Sequence, residues 1–204
     1  MKIALSMPYL FTDHFSPDSI KEDSGKKFLQ DHAGTSRKLA SPIQELDLRI
    51  TSEGPDTVFF ATTPSRPQTV MYYMKAKRRN LEWSVVHPLN RYTRAAFQAE
   101  VWRHNTLAGS MPILTSRIFF KYLLSSTRLV VSDNQHSESG RMFWVQQIKT
   151  ALRAGFGVWV LFADGKDSLE VKAVSKITSP EQIDRYYSAG DQTKGLFFRF
   201  AISK

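Results

Sequence analysis

The stretch RLVVSDNQHSESGRMFWVQQIKTALRAGFGVWVLF, Arg128 to Phe162, decides the fold class, because it reads as strand, polar turn, helix, glycine stop and strand in one pass. On a helix Trp144, Val145, Ile148, Ala151 and Leu152 fall at i, i+1, i+4, i+7 and i+8, so they share one apolar face. Gly155 supplies the left-handed stop. Arg128–Val131 before it and Gly157–Phe162 after it are apolar runs of strand length. Downstream, Asp164 and Gly165 mark a turn, Leu169–Val174 reads as a strand, and Ser179, Pro180 and Glu181 open a short helix. GLFFRFAIS then alternates Leu196, Phe198, Phe200 and Ile202 with Phe197, Arg199, Ala201 and Ser203, as a last strand does. This order of elements predicts a single α/β domain over 1–204, with a mixed central β-sheet flanked by helices.

The first two thirds carry weaker patterns. Residues 1–10 fit a first strand, and 12–45 form a polar segment expected to be a long or mobile loop. Leu46–Ile50 and Thr57–Thr63 read as strands around the turn residues Glu53 to Asp56. Ser65–Asn80 is expected to be a helix, with a hairpin as the competing reading because Val70, Tyr72 and Met74 alternate. Leu81–His87 is expected to be a strand, and Thr93 to cap a helix that reaches Ala108 before Gly109. In MPILTSRIFFKYLLSS, apolar side chains surround a helix on nearly every side, so a buried helix and a core strand both fit.

Charge is the most informative quantity. The 204 residues carry a net charge of +9. Residues 66–128 hold eleven Lys or Arg (Arg66, Lys75, Lys77, Arg78, Arg79, Arg91, Arg94, Arg103, Arg117, Lys121, Arg128) against Glu82 and Glu100, which accounts for the whole surplus. Such a block favours nucleic acid, an anionic surface or an acidic protein partner. Tyr72 and Tyr73 beside Lys75, Lys77, Arg78 and Arg79 could stack and neutralise, and Phe143, set opposite the apolar helix face, could anchor a partner. A solvated basic surface is the plain structural reading.

The polar stretch after Val131 has two readings. Its position at a strand's carboxyl end and a helix N-terminus suits an anion held by backbone N–H groups, with Asp133, His136, Ser137 and Arg141 around it. Asp133, Ser137 and Ser139 are equally ordinary turn and capping residues. An acid/base pair of Asp133 and His136 acting on a phosphate-containing substrate is a third reading, without an identifiable nucleophile. Cysteine is absent, which excludes disulfides and thiolate ligands. Asp13, His14, Asp31 and His32 are two Asp-His dipeptides in a polar segment, expected to be solvated rather than metal-binding. Glu100 and His104, four apart, would share a helix face, but two ligands do not make a site, and a core-edge or surface salt-bridge role is expected. No phosphate loop, dinucleotide fingerprint, zinc-protease or serine-hydrolase motif occurs, so no cofactor is expected. No run approaches the roughly 18 apolar residues of a membrane helix; no membrane insertion and a cytoplasmic location are expected.

The C-terminal third resembles plasmid-encoded fertility-inhibition accessory proteins, in the order SD-x-Q-H, G-x-x-x-W and a Gly-Val-aromatic strand. The resemblance implies a cytoplasmic protein that disables a component of a DNA-transfer machine, such as its coupling ATPase. It carries no catalytic residue with it.

Overall fold

A computed structural model describes residues 22–103, 111–132, 138–165, 168–188 and 197–204. In chain order these form α1 (Glu22–His32), β1 (Arg37–Lys38), β2 (Asp47–Glu53), β3 (Asp56–Thr62), β4 (Tyr72–Asn80), β5 (Glu82–Trp83), a 3-10 turn (Pro88–Arg91) and β6 (Arg94–Arg103). There follow α2 (Met111–Arg117), a π-helical turn (Ile118–Leu123), α3 (Leu124–Thr127), β7 (Leu129–Val131), α4 (Glu138–Arg153), β8 (Gly157–Ala163), β9 (Glu170–Val171), β10 (Ala173–Ile177), α5 (Glu181–Ser188) and β11 (Phe197–Ser203). The class is α/β with a mixed sheet. Contacts divide the described residues into two compact units, one within 22–77 and 98–121, the other within 78–97 and 122–204.

In the first unit, β1, β2, β3 and β4 form an antiparallel meander. Glu53 pairs with Asp56 across a two-residue turn in which Gly54 has φ +58. Positive φ at the first central position is what a II′ hairpin turn requires. Every residue of β3 is buried, so both of its faces are covered. On one face Val58, Phe60 and Tyr73, joined by Val70, meet Phe28 and Leu29 of α1. On the other, the hydroxyl of Tyr72 donates to Thr115 Oγ1 in α2 at 3.4 Å, and burial pushes this phenol well above its ordinary pKa. A fully buried aromatic of this size contributes about 1.5–3 kcal/mol over an exposed one, so the two tyrosines hold β4 in the core.

That burial corrects the helix expected at Ser65–Asn80. Pairing of Phe60 with Tyr73 and of Phe59 with Met74 buries alternating side chains on both faces, which the period of two in this segment permits and a helix does not. The helix expected from Thr93 is likewise a strand. Its alanines favour a helix locally, but Ala95, Ala96 and Phe97 are consecutive and all buried, as in a strand covered on two sides. Residues 104–110 lie outside the described part. The loop expected at 12–45 gives way to α1, whose Phe28 and Leu29 pack against the distant Val58, Phe60, Val70 and Tyr73; residues 1–21 lie outside the described part. Strand Leu81–His87 shortens to β5, because His87 Nδ1 accepts from Leu89 N–H at 3.2 Å and caps the 3-10 turn that Pro88 begins. Leu169–Val174 divides into β9 and β10.

In the second unit the strand order is β6, β7, β11, β8, β10. β6 and β7 run parallel and the other pairs antiparallel. Trp144, Ile148 and Ala151 of α4 are buried, and Gly155, at φ +76, follows the helix as the sequence predicts. A core of Leu81, Leu89, Phe97, Val131, Leu161 and Val171 lies beside the short parallel pair of β5 and β9. Ser132 is wholly buried at the end of β7: its N–H donates to Phe200 O at 2.8 Å and its Oγ accepts from Phe200 N–H at 2.9 Å. Arg128, with φ 62, closes α3 and leads into β7. No helix among the described residues is long and apolar enough to cross a membrane.

Candidate functional site

The cations at the end of β4 do not form one patch. Successive strand residues face opposite sides, so Lys75, Lys77 and Arg79 share a side that Arg78 does not. Lys75 Nζ lies 2.7 Å from Glu53 Oε2 and 4.0 Å from Asp56 Oδ2, and all three groups are largely shielded from solvent. His32 joins them, with Nε2 3.5 Å from Glu53 Oε1 and Nδ1 3.3 Å from Thr51 Oγ1. Lys75 is therefore an internal counter-ion rather than a partner-facing charge. Tyr73 is 4% exposed, its ring edge-on to Phe28 at 5.7 Å, and offers no face for stacking. Lys77 and Arg79 are half-buried, and Arg79 Nη1 donates to Arg78 O at 2.8 Å. Arg78 is exposed.

Phe143 is half-buried and edge-on to Trp144 at 6.1 Å. Arg141 Nη2 donates to Asp184 Oδ1 at 3.0 Å and ties α4 to α5; an exposed pair of this kind contributes at most about 1 kcal/mol. Asp133, His136 and Ser137 lie outside the described residues. So do Asp13, His14 and His104. Asp31 is exposed while His32 turns to Thr51 and Glu53, and among the described residues no group of three acids or histidines is placed to hold a metal. A small pocket between Phe97, Leu161 and Val171 has room for about one water molecule. At its edge Arg199 donates to Ser168 O at 2.8 Å, with its guanidinium 6.0 Å from the Phe97 ring. It is a packed corner, too tight for an organic ligand.

A different set of cations is brought together at one end of the second unit's sheet. The parallel register Ala96↔Val130 carries Arg94 beside Arg128, and the antiparallel register Ser203↔Leu129 carries Lys204 to the other side of Arg128. Lys204 N–H donates to Arg128 O at 3.0 Å. Arg91 joins through Tyr92: its Nη2 donates to the phenol oxygen at 2.8 Å, and the phenol donates to Lys204 O at 2.7 Å. Arg91, Arg94, Arg128 and Lys204 are all exposed. Among the described residues no side-chain carboxylate forms an ion pair with any of the four. Three of them belong to the basic block, but composition does not single them out. Strand pairing aligns them, and only Lys204, from beyond the block, completes the row.

No family model matches the chain, and no curated protein or solved structure matches it either.

Proposed function

We propose that the protein acts as a binding protein whose surplus cations meet an acidic protein, and that inhibition of a DNA-transfer machine through one of its components, such as the coupling ATPase, is the concrete form of this activity. The observation that carries the reading is the row Arg94, Arg128, Lys204 at the ends of adjoining strands, with Arg91 beside it and no side-chain carboxylate answering it among the described residues. Such a concentration of like charge steers and orients an oppositely charged partner. The resemblance of the C-terminal third to fertility-inhibition proteins supports the choice of target. In a nuclease-treated pull-down, the transfer ATPase should be retained by the wild-type protein and lost with Arg94→Glu/Arg128→Glu. Retention by the double variant removes this contact. Recovery that depends on intact nucleic acid, with affinity falling by about 0.7–0.9 in logarithmic slope per phosphate neutralised, assigns the row to nucleic acid instead.

A further inference from the structure

Resting on the reading of an acidic protein partner, we infer that the row grips an extended acidic segment of that partner and that Arg128 is its anchor. The first support is spacing. Neighbouring strands lie about 4.8 Å apart, so backbone positions 94, 128 and 204 span roughly 10 Å in line. An extended peptide repeats its same-side groups every two residues, about 6.7 Å, so two or three alternate carboxylates cover a comparable length.

The second support is what the row lacks. Single-stranded nucleic acid is held by cations together with aromatic faces on which bases stack. Tyr92 is the ring hydrogen-bonded to the row, and it is buried, with the Arg91 guanidinium 4.8 Å above its centre and its hydroxyl engaged by Arg91 and Lys204. No base can stack on that ring, which weighs toward carboxylates over nucleotides.

The third is Arg128 itself. Among the described residues it is the one non-glycine with positive φ. The position following a helix of this kind is usually glycine, because a β-carbon is strained in the left-handed region. An arginine held there, exposed and unanswered by a carboxylate, keeps a guanidinium at the centre of the row against the local backbone preference. A guanidinium meets a carboxylate with two parallel hydrogen bonds.

Fluorescence anisotropy with a labelled alternating Glu-Ser peptide, and in parallel an oligothymidylate of equal charge, tests this on the full chain. The peptide should bind more tightly than the oligonucleotide. Arg128→Gly, which suits the backbone, should weaken peptide binding about tenfold or more, as expected for loss of a charge-assisted hydrogen bond. Arg94→Ala should act in the same direction, while Arg66→Ala, an exposed turn residue of the other unit, should leave binding unchanged. Absence of peptide binding, tighter binding of the oligonucleotide, or wild-type affinity in Arg128→Gly would each overturn the inference. The assay contains no transfer protein. Peptide binding with a negative pull-down therefore removes only the proposed target, and the reverse result removes only the extended-segment mode.

Discussion

Trp159 Nε1 donates to Ser203 Oγ across 3.0 Å, and the bond passes over Gly157, which pairs with Ser203 in the β8–β11 ladder. A β-carbon on Gly157 would lie 2.5 Å from that oxygen and 2.8 Å from that nitrogen. Glycine within a strand ordinarily costs stability relative to alanine. Here the sign reverses. Gly157→Ala should destabilise by about 1–3 kcal/mol, the usual range for overpacking, read as a lower urea midpoint. An unchanged midpoint would mean that the indole and hydroxyl relocate freely.

Arg128 makes the opposite prediction. Relief of the left-handed conformation by Arg128→Gly should stabilise the protein by about 1 kcal/mol, whereas Arg128→Ala keeps the β-carbon and should gain little. Chemical denaturation of both variants separates backbone strain from side-chain charge. A destabilised glycine variant would show that the arginine side chain supports the fold.

Lys75 stands between Glu53 and Asp56, largely out of solvent. Its removal takes away the ammonium that the two carboxylates share. Lys75→Ala should cost about 1–3 kcal/mol, well above the at most 1 kcal/mol expected for Arg141→Ala at its exposed pair. Equal losses in the two variants, compared by thermal unfolding, would contradict the assignment of Lys75 to the interior.

Asp47 gives a pH dependence. Partial burial pushes its carboxyl up, but the hydrogen bond from Arg49 at 3.0 Å and the ammonium of Lys38 at 3.2 Å outweigh this, and its pKa lies below the ordinary 3.8. A carboxyl depressed in the folded state adds stability that is present above the unfolded value and lost as pH falls through the folded one. Asp47→Asn should therefore lower stability near neutrality and flatten its decline below about pH 4. An acid limb of unchanged slope in denaturation titrations would show that other groups set it.

How far the sequence reveals this fold depends on whether a segment's partners are local. The α4 face of Trp144, Ile148 and Ala151, the stop at Gly155 and the β8 and β11 runs are legible because period and cap agree within one window. Tyr72 to Asn80 and Arg94 to Arg103 are misread because helix-favouring residues there are overruled by pairing with β3 and β7. Phe28 and Leu29 look isolated in a polar segment until Phe60 and Tyr73 meet them. The basic block supplies most of the cations of the proposed surface, yet its most conspicuous run, Lys75 to Arg79, is split by strand alternation and partly neutralised. The row around Arg128 depends on registers between segments more than 30 residues apart, which no local pattern encodes.

The turn at Ile118–Leu123 explains one remaining ambiguity and carries a consequence for the chain's tolerance of length change. Ile118, Phe119, Leu123 and Leu124 are all fully buried although they repeat at five residues, a spacing that scatters around an ordinary helix. Bonding from i to i+5 accommodates one residue more in that turn than regular α-helical winding does. Excising a single position at Lys121 would restore regular winding and turn the residues before it by about 100° about the helix axis relative to those that follow. The extra residue thus acts as a phase adjuster, and the helix is tuned by how many residues it contains as much as by which ones.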